Sequence, residues 1–364
     1  MRFFSKTADG KVIGDAGFDG LTLGAVDGAV IVDRPRTTMS LSNKVRGSLT
    51  LPVAVVIVLF TLVGSTQNSF FFSEATWINI LTSSSFTVIV ACFEGLVIIS
   101  GGLDLSVGAT FLAGAMVSAQ LVHAGQSSVV AILVAVLTGA FIGLVNGVLS
   151  NFVGIPPIIA TLGTLFCITA IVTTLSGGLS IGPLPSGFTN FGSSTWGPFP
   201  SVIFIALAVA IVAHVLLRFS TFGIKIRAVG GNRTAAVNLG LNAKRISTLV
   251  YVMCGMAAAF SGVLQASNLG AGSPTFGTDL ELQAIAAVVI GGVSVYGSVG
   301  EVPGMVLGAV LLSQLTVGLL LLHFSGSMQD FAVGLVLILA VAIDRVRQSR
   351  MFRLSRSMRT GRGK

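Results

Sequence analysis

Charged residues are scarce in this chain. Only 9% of its 364 residues are Asp, Glu, Lys or Arg, against roughly 25% in a soluble domain. Hydrophobic residues make up 53%. No Lys or Arg occurs in residues 47–217 or 246–344, and both stretches contain apolar runs long enough to cross a bilayer. This composition excludes an ordinary soluble fold and predicts an all-α, polytopic membrane protein.

Cysteine and histidine are also rare, with three of each. The cysteines lie in apolar runs without a CxxC pair or metal-ligand spacing, and the histidines stand alone near predicted span ends. The six residues are Cys92, Cys167, Cys254, His123, His214 and His323. A membrane enzyme needs nucleophilic, acid–base or metal groups that converge at one place. We therefore predict no metal site, no catalytic residue and no enzymatic activity.

A Walker sequence, Gly-x-x-x-x-Gly-Lys-[Ser/Thr], is missing as well. The two Gly-Lys pairs lie in the tails, at residues 10–11 and 363–364. The chain is thus expected to bind no cofactor and to hydrolyse no ATP by this mechanism. Ionisable residues within the apolar runs are few, which disfavours an ion relay. A self-sufficient secondary transporter or facilitator remains the alternative to a transporter driven by a separate ATPase.

The basic residues that are present form three clusters. Seven lie within residues 2–46, six within 218–245 and eight within 345–364. Basic clusters beside apolar spans mark cytoplasmic loops and contact anionic lipid, so nucleic acid is not an expected partner. Both termini should be cytoplasmic, with the chain in the inner (plasma) membrane. The predicted regions are a poorly ordered tail (1–45), a transmembrane domain (46–346) with a cytoplasmic loop (219–245), and a basic tail (347–364).

About ten apolar segments have spanning length. They are residues 49–66, 84–100, 107–123, 128–150, 156–177, 200–218, 246–268, 281–298, 303–323 and 327–345. Six lie between the first and second basic clusters and four between the second and third, so the three clusters share one side. The longer loops, 67–83 and 178–199, then fall on the outer side. Two ridges of the GxxxG type, at residues 139–147 and 304–308, are typical of close helix packing.

One glycine-rich sequence occurs twice. Residues 99–108, ISGGLDLSVG, resemble residues 289–298, VIGGVSVYGS, and each is followed by an apolar run. Paired glycine-interrupted segments indicate an internal repeat with broken or re-entrant helices around a substrate path. Glu94 is a carboxylate inside a span and is either functional or a neutral structural group. The candidate path residues are Gly101, Gly102, Asp104, Ser106, Gly291, Gly292 and Glu94.

The middle basic loop contains a capped helix. Asn232 can cap a short helix that runs through Ala235, Ala236 and Leu239 and ends at Gly240. Such a helix, flanked by positive charge, suits a groove on another protein. An amphipathic element lying on anionic headgroups is the other interpretation.

These motifs resemble the ribose-type permease subunits of binding-protein-dependent ABC sugar importers, over about residues 50–346. The segments that carry the likeness are 99–108, 146–147 with 155–164 (IPPIIATLGT), 228–232 (AVGGN) and 284–292 (AIAAVVIGG). The resemblance implies translocation of a monosaccharide or related polyol. It also implies a second permease subunit, identical or different, two cytoplasmic ABC ATPases that hydrolyse the ATP, and a periplasmic or extracellular solute-binding protein.

The resemblance further implies that the segment from Asn232 is a coupling helix that sits in a groove of the ATPase. The residues assigned to this coupling are Gly231, Asn232, Arg233, Ala235, Ala236, Leu239 and Gly240. Arg233 stands where relatives often carry an acidic residue, which indicates a different choice of partner. Glu94 stands where an apolar or small polar residue is expected, so its contact with the ligand is left open.

Overall fold

The computed structural model describes residues 22–26, 29–33 and 50–360. The chain divides into two units, residues 1–48 and 49–364. In the first, strands β1 (Thr22–Val26) and β2 (Ala29–Asp33) form an antiparallel hairpin in which Thr22 lies opposite Asp33. The predicted disorder of residues 1–45 falls largely outside the described residues and stays a prediction.

The second unit is helical. Its helices are α1 (Thr50–Gln67), α2 (Glu74–Ile99), α3 (Val107–His123), α4 (Ser128–Val148), α5 (Pro157–Leu175), α6 (Ser186–Ser193), α7 (Ser201–Phe219), α8 (Thr221–Gly231), α9 (Arg233–Asn238), α10 (Ala243–Leu269), α11 (Leu280–Ile290), α12 (Val302–Leu321) and α13 (Gly326–Thr360). Shorter elements are a 3₁₀ turn (Ser69–Phe72), a π-helical turn (Leu149–Val153) that continues α4, and the hairpin of β3 (Thr195–Trp196) and β4 (Phe199–Pro200).

Within the described residues, six helices are long and apolar enough to cross a membrane, and four shorter apolar helices accompany them. Ten apolar helices therefore stand where about ten spans were predicted. The span predicted at 281–298 is wrong as a continuous helix, because α11 ends at Ile290. Its 11 residues extend about 16 Å at 1.5 Å per residue, roughly half of a 30 Å hydrocarbon core.

The predicted outer loop at 67–83 is also wrong over most of its length, because α2 begins at Glu74. Ser73 caps this helix by accepting a hydrogen bond from the Thr76 N–H at 3.2 Å. Further along, the hydroxyls of Ser84 and Ser85 donate to the Leu81 carbonyl at 3.0 and 2.6 Å. Hydroxyls that bond to the preceding turn lose much of their polarity, so a Ser-rich stretch can be helical inside an apolar bundle.

Glycine ridges bring the central helices into contact. A Cβ on Gly139 or Gly143 of α4 would overlap the carbonyl oxygen of Gly255 or Tyr251 on α10. A Cβ on Gly308 of α12 would likewise overlap a carbonyl of α11. Both predicted GxxxG ridges therefore serve close packing, as expected. Helices α2 and α10 form the centre of the bundle, with 89% and 72% of their most apolar windows buried.

The Lys and Arg residues between 218 and 345 lie at one end of the bundle, which we call the basic end. Contacts join several of them to neighbouring elements of that end. These contacts are Arg218 with Glu301 at 3.1 Å, Arg233 with Asn151 at 3.1 Å, Lys244 over the Phe152 ring at 5.6 Å, and Arg345 with Tyr296. This clustering agrees with the single-sided charge inferred from the sequence.

Candidate functional site

Helices α2 and α11 end at the basic end in the same backbone motif. In α2, Gly101 has φ of +88°, its N–H donates to the Ile98 carbonyl at 2.9 Å, and the Gly102 N–H donates to the Val97 carbonyl at 3.0 Å. This pair of bonds is a Schellman motif, in which a left-handed glycine closes the helix.

The second helix repeats the motif at Gly292, which has φ of +89°. The Gly292 N–H donates to the Val289 carbonyl at 2.9 Å, and the Val293 N–H donates to the Val288 carbonyl at 3.1 Å. Gly101 therefore corresponds to Gly292 in structure, whereas the sequence echo paired Gly101 with Gly291. The same motif also ends α3 at Gly125 and α5 at Gly177, so it is a common helix end in this chain and the internal repeat stays a prediction.

We call the end of α2 at Gly101 the first break and the end of α11 at Gly292 the second break. A buried polar cluster follows the first break. The Asp104 N–H donates to Glu94 Oε1 at 3.0 Å. The Ser106 N–H and hydroxyl both donate to Asp104 Oδ1, at 2.9 and 2.6 Å. The Tyr251 hydroxyl bonds to both backbone groups of Leu103 at 3.1 Å. Because unpaired polar groups are costly in an apolar interior, this pairing holds the irregular segment between α2 and α3 in one conformation.

The same cluster reaches α4 and α5 and has a further contact with α10. Asn146 of α4 donates to Ser106 Oγ at 2.7 Å and to Asp104 Oδ1 at 3.4 Å. Thr164 of α5 donates to Asn146 Oδ1 at 2.6 Å, and Cys254 Sγ of α10 lies 3.5 Å from Glu94 Oε2. Glu94 is thus enclosed by protein with no exposed surface, and its carboxylate positions the break.

The second break packs directly on the first. The Ser298 N–H donates to the Ile99 carbonyl at 2.9 Å. A Cβ on Gly291 would overlap the backbone of Gly304. Where the first break is held by carboxylates, the second is held by close backbone contact with α12 and with the end of α2.

Helix α8 lies against both breaks. Arg227 donates from Nη2 to the Gly300 carbonyl at 2.9 Å and from Nη1 to the Ser298 carbonyl at 3.4 Å. A Cβ on Gly230 would overlap the Ile99 carbonyl oxygen. Partial burial lowers the pKa of the Arg227 guanidinium, although an arginine stays protonated in a protein. Sequence reasoning missed Arg227, because its charge was interpreted only as a topology signal.

The predicted capped helix is present as α9. Asn232 Oδ1 accepts from the Ala235 N–H at 2.9 Å. Gly240, with φ of +84°, ends the helix: its N–H donates to the Val237 carbonyl at 2.9 Å, and the Leu241 N–H donates to the Ala236 carbonyl at 3.1 Å. Leu239 is 81% exposed, so α9 presents an apolar side chain away from the bundle.

Two other assigned residues of this segment face the bundle. A Cβ on Gly231 would lie 3.1 Å from Ser298 Oγ. Arg233 is exposed but turns toward α4, where its guanidinium donates to Asn151 Oδ1 at 3.1 Å. The assignment of the segment to ATPase coupling stays a prediction.

A polar cavity of about 290 Å³ lies further along the bundle. Segments of α2, α3 and α10, the loop that leads into α11, and the first turn of α11 supply its walls. The lining residues are Ser83, Phe86, Thr87, Phe111, Gln265, Thr275, Phe276, Gly277, Thr278, Leu280 and Gln283. None of the seven path residues proposed from the sequence is in this lining, and their role in a path stays a prediction.

Paired broken helices inside a bundle of spanning helices define a multi-pass membrane protein of the transport type. A family model described as the permease component of the branched-chain amino acid transport system matches residues 76–341. The chain belongs to this permease family.

Curated relatives agree with the family. The chain is 34% identical to the ribose import permease protein RbsC of Escherichia coli over 80% of this chain and 92% of the relative. It is 32% identical to the D-allose transport system permease protein AlsC of Escherichia coli, over 81% and 90%. It is 33% identical to the galactose/methyl galactoside import permease protein MglC of Haemophilus influenzae, over 82% and 95%. No solved structure matches the chain significantly.

Proposed function

We propose that this chain is the membrane-spanning permease subunit of an ABC importer. Its ligand is a monosaccharide or related polyol, delivered by a solute-binding protein and moved at the expense of ATP hydrolysed by separate subunits. The names of the relatives, which include ribose, D-allose and galactose permeases, support the sugar class. The structural observation that carries the proposal is α9, a helix capped at both ends that exposes Leu239 beside the two breaks.

The basic end faces the cytoplasm in this proposal, because loops rich in Lys and Arg stay on that side. Both termini are then cytoplasmic, and the membrane is the inner membrane of a bacterium. Two ABC ATPases dock at the basic end, a second permease subunit completes the pair, and the binding protein docks at the opposite end. The chain itself binds no cofactor.

The coupling step is mechanical. The ATPase groove receives α9, and Asn232, which caps α9, directly follows α8. Helix α8 contacts the first break through Gly230 against Ile99, and the second through Arg227. A displacement of α9 as the ATPases close is therefore transmitted to both breaks by one short helix, because the contacts between α8 and the breaks are too close to slide.

Purification of the tagged chain in a gentle detergent, followed by mass spectrometry, tests this function. A Walker-containing ATPase should accompany the wild-type chain. Leu239→Asp should reduce its recovery at least several-fold, because a carboxylate replaces an apolar side chain in the groove. Leu179→Asp is the matched control, since Leu179 is an exposed leucine in the loop after α5 and lies far from α9.

Two results would count against the proposal. Recovery of the chain without any ATPase, combined with sugar flux through the purified chain driven by an ion gradient, would establish the secondary transporter instead. Equal ATPase recovery with Leu239→Asp and Leu179→Asp would remove α9 from the interface.

A further inference from the structure

We infer that the polar cavity is where the transported sugar is held on its way through the subunit, an inference that rests on the proposed function. The cavity lies midway along α2. Thr87 is about 18 Å along the helix axis from Ile99 and about 20 Å from Glu74, at 1.5 Å per residue. Transporter sites near the bilayer midplane are typically built where helices are discontinuous, and α11 begins at this level.

Four polar side chains of the cavity are free to bind a ligand. Among the described residues, the side chains of Gln265, Gln283, Ser83 and Thr87 have no hydrogen-bond partner within the protein. Thr87 is 5% exposed, Gln265 and Gln283 are half-buried, and Ser83 is exposed. Polar groups without an internal partner bond to water or to a ligand. These four side chains therefore offer donors and acceptors to a polar occupant of the cavity.

The chemistry of the lining specifies an uncharged occupant. Each glutamine amide both donates and accepts, and each hydroxyl does the same, which matches the hydroxyl groups of a polyol. No ionisable residue is in the lining. The carboxylate of Glu281 turns instead toward the backbone of α3, where a Cβ on Gly108 would overlap it. An anionic or cationic ligand would find no counter-charge in the lining and would lose its hydration without compensation.

Three phenylalanine side chains complete the cavity. Phe86 and Phe111 are buried members of the core, and Phe276 packs against the same core. Apolar aromatic walls with a few convergent polar groups are typical of small-molecule sites. The rings can cover the C–H faces of a sugar while the amides bind its hydroxyls.

The cavity is also connected to the basic end. Gly277 in its wall has φ of +78°, and a Cβ there would overlap the Gly108 carbonyl. The loop containing Gly277 leads into α11, whose opposite end is the break at Gly292. A movement of that break reaches the cavity through one rigid helix of 11 residues.

Reconstitution of the transporter with its co-purified ATPase and binding protein tests the site. Radiolabelled D-ribose, D-allose and D-galactose serve as probes. Gln265→Leu and Gln283→Leu should each lower the sugar transported per ATP by about tenfold, as expected when one or two ligand hydrogen bonds are lost. ATP hydrolysis stimulated by the loaded binding protein should stay at the wild-type rate, because the basic end is intact. Gln120→Leu, an exposed glutamine outside the lining, should change neither quantity.

The possible negative results distinguish a wrong sugar class from a wrong binding site. If the wild-type transporter takes up none of the three sugars, the sugar class and this inference fall together. If it takes up a sugar and both leucine variants match Gln120→Leu, the site alone is overturned and the proposed function stands.

Cysteine labelling decides the question where a leucine variant fails to assemble. Gln283→Cys is made in a Cys167→Ser background, because Cys167 is the exposed native cysteine. The transported sugar should slow its reaction with a charged methanethiosulfonate reagent several-fold, and should leave Gln120→Cys unaffected. Equal rates with and without sugar at Gln283→Cys would contradict the inference.

Discussion

Ser298 donates its backbone N–H to the carbonyl of Ile99 at 2.9 Å, and this single bond joins the two glycine breaks of the bundle. The Ile99 carbonyl is at the end of α2, and Ser298 lies in the segment between α11 and α12. Gly230 of α8 packs on the same carbonyl. Three parts of the chain therefore meet at one atom, so a displacement of α8 must move both breaks together.

Arg227 should be required for coupling and dispensable for ATPase binding. Arg227→Ala removes two charge-assisted hydrogen bonds to the carbonyls of Gly300 and Ser298, each worth about 1.5–3 kcal/mol. We expect wild-type recovery of the ATPase and several-fold lower uptake per ATP. Lys225→Ala is the control, since Lys225 is exposed on the same helix. Loss of the ATPase together with uptake would show that Arg227 merely supports the fold.

Alanine at the two left-handed glycines should destabilise the protein equally. Gly101→Ala and Gly292→Ala place a Cβ at φ of +88° and +89°, at a cost of about 1–2 kcal/mol each. Gly163→Ala is the matched control, because Gly163 is helical with open space around it, and alanine favours a helix by about 1 kcal/mol. Thermal unfolding in detergent measures all three. An unchanged midpoint for Gly292→Ala would contradict the equivalence of the breaks.

Glu94 should act through its hydrogen bonds. Glu94→Gln keeps a carbonyl oxygen for the Asp104 N–H, so this variant should fold and transport within about twofold of wild type. Glu94→Leu leaves that buried N–H unpaired and should cost about 1–3 kcal/mol. The measurements are the unfolding midpoint and uptake per ATP. Loss of transport in a normally folded Glu94→Gln would instead assign the carboxylate a direct role in translocation.

The orientation of the chain in the membrane can be determined by labelling single cysteines from outside the cell. Leu239→Cys and Leu179→Cys are made in the Cys167→Ser background. In intact cells, a membrane-impermeant maleimide should modify Leu179→Cys and leave Leu239→Cys unmodified. Permeabilised cells should show both sites reactive, since both leucines are well exposed. The reverse pattern in intact cells would place the basic end outside.

The correct predictions from the sequence rest on local signals. Apolar runs, segregated Lys and Arg, the Asn232 cap and the glycine at position 240 each depend on residues near one another in the chain. The errors have physical reasons. The span at 281–298 looked continuous because the segment after Ile290 has no charged residue. Residues 67–83 looked like a loop because they include Ser73 and Glu74, whose polarity belongs to the cap and first residue of α2.

The sequence by itself therefore determined that this protein lies in a membrane, the approximate number of its apolar helices, the end of the bundle that carries its charge and the position of α9. Tertiary structure alone decided which glycine closes each break, the partners of Glu94 and Arg227, and the composition of the cavity. Arg227 and Gly300 are 73 residues apart, and the cavity draws on residues from Ser83 to Gln283. Contacts over such separations depend on how helices pack, and packing is set by shape complementarity that no local pattern encodes.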